Sequence, residues 1–325
     1  MKAKTAGKVK EVVLKRSVLK ELSPVLSKEI EKPKVGVDAT GIKFEQGSYL
    51  LTSVATMEGR TDTFVISTFH RAMNNLYIQK AKPLGITISL TLRYGGSEKE
   101  LKQMMRLITA ACQEHNVVVL GGETFRSGNA QDNILTIQAI GTKELCNHQK
   151  EWEAGDQIVM AGTAGLAGTV RIYEMERETF QKRFSKAFLQ GIQPMMKQLS
   201  VREQCNLAND WLYAHDVSEG GIFAALWELG DYLNCGLRIS LQNILLAQET
   251  IELCEILDLN PYVLFSLGCS LFVVKDGAKL VETLEEMNIR ASVVGYLTQD
   301  SDRILDNGEE IRYLEPYKGD DMYRC

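Results

Sequence analysis

Apolar residues recur at helical spacing over residues 8–23, at Val9, Val12, Val13, Leu14, Leu19 and Leu22, and predict a helix that Pro24 ends. "YLLTSVAT" (49–56) is rich in β-branched and aromatic residues and predicts a strand. "FVISTFHRAMNNLYIQKA" (64–81) has a helical pattern and stops before Pro83, and "GITISLTLRY" (85–94) predicts the next strand. "SEKELKQMMRLITAACQEH" (97–115) opens with a capping box, Ser97 and Glu100 serving each other's backbone N–H. "NVVVLGGET" (116–124) predicts a strand running into a glycine pair, and "NILTIQAIGT" (133–142) another strand.

Near residue 150 the pattern restarts. A strand, a turn and a helix are predicted from "EWEAGDQIVMAGTAGLAGTVRIYEME", followed by one long helix over about 178–199. "WLYAHDV" predicts a strand and the segment after Gly221 a helix. "YVLFSLGCSLFVV" predicts a strand or strand pair, "DGAKLVETLEEMN" a helix and "ASVVGYLT" a closing strand. Two α+β domains follow, 1–152 with a helical extension over about 1–32, and 153–325 with a flexible tail from about 315.

The composition excludes more than it identifies. A chain of 325 residues, 45% hydrophobic and 24% charged, exceeds one comfortable core. A net charge of −5 argues against nucleic acid as a partner, since phosphate binding needs a concentrated basic surface. The Lys-rich start reads as a solvated helix face. No apolar run reaches the roughly 18 residues of a membrane span, and the start lacks a signal-peptide core, so no membrane partner is expected. Seven scattered cysteines without Cys-x-x-Cys pairs predict neither disulfides nor a zinc site, and a cytoplasmic location fits them.

Three glycine-rich stretches follow apolar runs: "VVVLGGETF" with Gly121 and Gly122, "IVMAGTAGLAGT" with Gly162, Gly165 and Gly168, and "AHDVSEGGIF" with Gly220 and Gly221. Glycine lets backbone amides approach an anion, and a helix N-terminus points free N–H groups at it. Each stretch also fits an ordinary turn, and none has the spacing of a P-loop or a dinucleotide fingerprint. Glu123, Asp216 and Glu219 would repel a bare phosphate, so their presence among these glycines implies an intervening cation, as in a magnesium–nucleotide site.

In their order, "VGVDATG", "AMNNLYIQKAKPLG", "VVLGGET", "AGTAGLAGT", "HDVSEGGI" and "VVGYL" resemble the aminoimidazole ribonucleotide (AIR) synthase-related, PurM-like ATP-binding superfamily. The second half most resembles the branch of the hydrogenase maturation factor HypE. The resemblance covers roughly 30–315. It implies a two-domain α+β fold in which the first domain forms a β-barrel with its partner in a homodimer and the second is an α+β sandwich. It also implies ATP with Mg2+ near the dimer interface, and a further maturation protein as partner. Glu123 and Asp216 are then expected in catalysis, the seven glycines at the nucleotide, and Asp38, Asn75 and Glu219 at the metal. The loop Asp216 to Gly221 is expected to line the cleft between domains.

The chain departs from the family's three first-domain acidic elements. They read Gly36-Val37-Asp38-Ala39, Thr52-Ser53-Val54 and Asn74-Asn75, the last expected at the start of a turn, so that only Asp38 keeps a carboxylate in place. Valine offers magnesium no oxygen and an amide carries no charge, so weakened ATP chemistry is expected. Resemblance to the HypE branch implies a terminal cysteine whose thiol accepts a carbamoyl group, which ATP helps dehydrate to a nitrile. Here the chain ends in Cys325, preceded by Met322-Tyr323-Arg324 instead of the family's proline-arginine-isoleucine. Three functions stay open: an ATP-dependent maturation enzyme using Cys325, a degenerate ligand-binding or scaffold relative, and a purine-pathway ligase.

Overall fold

The computed structural model describes residues 11–15, 40–43, 47–144 and 151–324. Val37, Asp38, Cys146 and Cys325 lie outside them. The chain divides into two compact units, one over residues 38–145, the other over 146–325 together with the N-terminal helix Glu11–Leu14.

In the N-terminal unit the strands are β1 Thr40–Lys43, β2 Ser48–Gly59, β3 Lys82–Leu92, β4 Val118–Arg126 and β5 Asn133–Glu144. They form one open sheet in the order β1-β2-β5-β3-β4, antiparallel except for the β3–β4 pair. Period-two alternation puts Leu51, Ser53, Ala55 and Met57 of β2 on the buried face and Thr52, Val54, Thr56 and Glu58 on the open one. The helix Asp62–Ile78 covers the buried face with Phe64, Phe69, Met73 and Leu76, against Leu51, Ile86, Leu135 and Ile137 of the strands. The helix Glu98–His115 packs on that helix and carries the expected capping box, Glu100 N–H donating to Ser97 Oγ at 3.2 Å and Ser97 N–H to Glu100 Oε2 at 2.6 Å. The strand expected over 116–124 is β4, which runs straight through Gly121-Gly122; a Cβ at Gly122 would lie 1.9 Å from the Ile88 carbonyl oxygen of β3, and only glycine allows that approach.

In the C-terminal unit the strands are β6 Gln157–Ala161, β7 Tyr213–Val217, β8 Gly236–Ser240, β9 Cys269–Val274, β10 Ala291–Thr298, β11 Arg303–Asp306 and β12 Ile311–Tyr313. Their order in one sheet is β12-β11-β8-β10-β6-β9-β7. Ile158, Met160, Leu237, Ile239, Leu271, Val273 and Val294 of the strands bury Ile222, Ala225, Leu226 and Leu229 of the helix Gly221–Leu233. Burial of such side chains supplies most of the folding free energy, roughly 1.5–3 kcal/mol for each large one.

Three expected elements differ. The long helix over 178–199 is broken into Arg177–Arg183, Lys186–Gln190 and the 3-10 turn Gln193–Gln198, because Ser185 caps a new start and Gly191 and Pro194 interrupt. Of "YVLFSLGCSLFVV", only Cys269–Val274 is a strand. β10 does not close the fold, since β11 and β12 follow.

Where a flexible tail was expected, residues 314–324 lie packed on the C-terminal unit, with Leu314, Asp320 and Met322 buried. The N-terminal helix also docks there, Trp227 Nε1 donating to Glu11 Oε2 at 2.8 Å and Lys15 pairing with Asp231 at 3.1 Å.

Candidate functional site: two glycine-capped helices under the C-terminal tail

Two helices of the C-terminal unit start from glycines in the left-handed region. Gly165 (φ 78°) is the N-cap of Leu166–Met175 and Gly220 (φ 85°) that of Gly221–Leu233. Neither has a side-chain cap of its own, which leaves first-turn N–H groups for other partners. Both helix starts face the segment 264–266. Gly165 N–H donates to Ser266 Oγ at 2.6 Å, and Gly168 N–H to the Phe265 carbonyl at 2.8 Å. Ser266 N–H donates to the Ser218 carbonyl at 3.0 Å. Close approach explains the glycines. A Cβ at Gly168 would meet Leu264 Cγ at 2.5 Å, and one at Gly221 the Tyr262 carbonyl oxygen at 2.5 Å.

The cap that Gly221–Leu233 lacks comes from far along the chain. Asp320 Oδ2 accepts Gly220 N–H at 2.7 Å, and Oδ1 accepts Phe265 N–H at 3.0 Å and Met322 N–H at 2.9 Å. Burial pushes the Asp320 carboxyl up to about 7, against the pull of the three N–H donors and with Glu219 adding to the rise. The Tyr317 hydroxyl donates to Glu219 Oε1 at 3.2 Å, and its ring lies where a Cβ on Gly220 would sit. Burial, then the nearby Glu219 and Asp320 carboxylates, raise the Tyr317 phenol. A cavity of about 750 Å³ opens beside this contact, walled by Gly220, Phe223, Asn260, Tyr317 and Asp321.

Asp216 and Glu219 are 2% and 5% exposed. His215 Nδ1 donates to the Asp216 carbonyl at 2.6 Å, and its Nε2 stands 3.1 Å from Glu228 Oε2. The buried Asp216 carboxylate contributes, after desolvation, to raising the Cys269 thiol.

Gly162, Gly165, Gly168, Asp216, Glu219, Gly220 and Gly221 therefore share the C-terminal unit, around segment 264–268. Gly121, Gly122 and Glu123 lie on the exposed strand β4 of the other unit, with no helix N-terminus following them. Asn75 is mid-helix, not at a turn, and its Nδ2 donates to Ser53 Oγ at 2.9 Å. Val54 projects from the open face, 59% exposed. Among the described residues no group of three or more His, Cys, Asp or Glu side chains is placed to share a metal ion. Of the residues expected at magnesium, Asn75 offers a neutral amide whose Nδ2 is bonded to Ser53, Glu219 accepts from Tyr317 in the C-terminal unit, and Asp38 lies outside the described residues. Sequence reasoning missed Asp320, Tyr317 and Ser266. Nothing local in "YKGDDMY" marks Asp320 as a helix cap one hundred residues away.

The chain matches the family models "AIR synthase related protein, N-terminal domain" over residues 37–142 and "AIR synthase related protein, C-terminal domain" over residues 153–306. It is 27% identical over 244 residues to a Methanocaldococcus jannaschii protein named for hydrogenase expression and formation, covering 72% of this chain and 70% of that one. It is 22% identical over 242 residues to carbamoyl dehydratase HypE of Cupriavidus necator, covering 69% and 67%. Among solved structures, a HypE–HypF complex matches with TM-score 0.72 at 16% identity, covering 92% of this chain and 99% of that one. HypE in complex with ATP matches with TM-score 0.71 at 15% identity, covering 98% and 97%. The fold is the PurM-like two-domain fold. No helix among the described residues is long and apolar enough to cross a membrane.

Proposed function

We propose that this chain, which belongs to the AIR synthase related family, is a hydrogenase-maturation protein of the carbamoyl dehydratase type that takes ATP and carries the carbamoyl group on Cys325. The observation that carries the reading is the meeting of the two glycine-capped helix starts on segment 264–266, in a chain whose relatives are named for hydrogenase formation and carbamoyl dehydration. The carbamoyl group on sulfur loses water to become a nitrile, with ATP hydrolysis driving the loss. A HypE complexed with ATP and a HypE complexed with HypF support ATP and a second maturation protein as ligand and partner. The exposed edge strand β4, with Val118, Leu120 and Phe125 bare, supports a homodimer formed through the N-terminal unit. Glu123 on the same strand and Asp38 are the carboxylates proposed to face the nucleotide.

A second reading, a relative that binds nucleotide without family catalysis, is favoured by the Asn75–Ser53 bond and by Val54 at the positions of the family's carboxylates. Mass spectrometry of the C-terminal peptide separates the two. The full chain is incubated with a HypF-type partner, its carbamoyl donor and ATP. An adduct on Cys325 that loses water only with ATP, and is absent from Cys325→Ser, is the expected result. An adduct that never loses water selects the second reading, and no adduct at all overturns the role of the thiol.

A further inference from the structure

We propose that Asn307 and Gly308, in the turn between β11 and β12, form a self-modification site: the Gly308 backbone nitrogen closes on the Asn307 side chain, ammonia leaves, and water opens the ring to an isoaspartate that loosens β12. The inference goes beyond the carbamoyl chemistry and does not depend on it.

Asn307-Gly308 is the only Asn-Gly pair in the sequence. It lies in the four-residue loop 307–310, every residue of which is exposed. Gly308 has φ 90° and no Cβ to shield its nitrogen. The backbone of Asn307 is held on both sides. Its N–H donates to the Glu310 carbonyl at 3.2 Å, and its carbonyl accepts from Gln242 Nε2 at 2.7 Å. The side chain is held as well: Oδ1 accepts the Glu309 N–H at 2.9 Å and the Glu310 N–H at 2.7 Å, two donors that fix which end of the amide is the oxygen. Nδ2 has no hydrogen-bond partner among the described residues. The Gly308 N–H donates to Asp306 Oδ1 at 2.7 Å.

Each of these groups has a part in ring closure. The bond from the Gly308 nitrogen to Asn307 Cγ forms as the Gly308 proton passes to the Asp306 carboxylate, which already holds it within the distance a general base needs. Negative charge gathers on Oδ1, where the two N–H donors stabilise it. The Cγ–Nδ2 bond then breaks, and the amine takes the proton from Asp306 and leaves as ammonia. A five-membered succinimide remains. Water opens it to aspartate where the new bond breaks and to isoaspartate where the original peptide bond breaks, and water is the sole co-reactant. Isoaspartate routes the backbone through Cβ and Cγ and so adds one carbon to the turn. β12 has three residues and pairs with β11 alone, Ile304 with Tyr313, Leu305 with Arg312 and Asp306 with Ile311. One more backbone atom in so short a loop breaks the fit between turn and register that the hairpin depends on.

Peptide mapping by mass spectrometry tests this on the full chain, aged at mildly alkaline pH in heavy-oxygen water. Asn307 is expected to convert faster than every other asparagine, with uptake of one labelled oxygen. Asp306→Asn, which removes the base, is expected to slow the conversion about tenfold. Asp306→Glu, which keeps a carboxylate, is expected to convert faster than Asp306→Asn. Asn307→Gln, whose amide would have to close a six-membered ring, is expected to stay unmodified. Hydrogen exchange then compares the aged isoaspartate form with Asn307→Asp, which gains the charge without the added carbon. Peptides of β11 and β12 are expected to exchange faster in the isoaspartate form. An Asn307 that stays an amide while other asparagines convert, an undiminished rate in Asp306→Asn, or equal exchange of β12 in the isoaspartate form and Asn307→Asp overturns the proposal.

Discussion

Asp320 Oδ2 caps Gly220 N–H at 2.7 Å across one hundred residues of chain, so the helix that follows the glycine pair is started by a residue close to the C-terminus. Ser218, two residues before the N-cap Gly220, contributes its carbonyl, to Gly221 and Ser266. The opening turn of this helix is therefore a tertiary contact, and the tail is part of the fold.

The glycine pair is required by packing. Gly221 has φ 62°, and a Cβ there would lie 2.5 Å from the Tyr262 carbonyl oxygen and 2.8 Å from that of Leu264. Gly221→Ala is expected to destabilise the protein by about 1–3 kcal/mol. Gly128→Ala, whose Cβ would meet nothing within 4 Å, should stay within about 0.5 kcal/mol. Urea unfolding midpoints of the two variants check this, and equal midpoints would refute it.

His70 makes stability depend on pH. Burial, with His115 as the smaller cause, holds it down to about 3 against an ordinary value of 6.5. Between these values the unfolded chain takes a proton that the folded chain refuses. The contribution is therefore complete above about 6.5 and is lost as pH falls toward 3, at up to about 1.4 kcal/mol per pH unit. In His70→Leu the fall in unfolding free energy between neutral pH and pH about 4.5 should be shallower than in wild type. Circular dichroism during urea unfolding measures it, and parallel profiles would remove His70 as the cause.

Strand β4 leaves Val118 and Phe125 bare, 59% and 57% exposed, on an edge with one paired side. Charged residues blunt such edges. Val118→Lys with Phe125→Lys is expected to convert a dimer to a monomer in light scattering at micromolar concentration. A wild-type monomer, or a dimer that survives both changes, would count against this edge as the interface.

Replacing Val37, Val54 and Asn75 by Asp together should strengthen Mg-ATP binding roughly tenfold or more, since about 1.4 kcal/mol of recovered charge compensation suffices. At Asn75 the Ser53 hydroxyl remains able to donate to the new carboxylate. Calorimetry that finds tight binding by the unmodified chain, unaltered by the three changes, would contradict the weakened site.

Much of the fold is legible along the chain because its causes are local. The alternation in "SYLLTSVATMEG" reports which face of β2 is buried, and the Ser97–Glu100 capping box reports a helix start within four residues. Gly121 and Gly122 show the limit. A glycine pair after an apolar run looks the same whether it turns toward a phosphate or allows a neighbouring strand's carbonyl to approach, and here it is the second. The helix over 178–199 failed for a related reason: its apolar spacing is continuous, while Ser185, Gly191 and Pro194 break it by backbone chemistry that outweighs periodicity.

The amino-acid order by itself determined the family and the two α+β units, because side-chain type and short-range spacing carry that information. Only the tertiary structure decided that Asp320, a polar residue in a polar stretch, is buried, and that Tyr317 covers Gly220. A buried carboxylate has to be matched by donors, and backbone N–H groups as donors leave no mark in the identity of the residues that supply them.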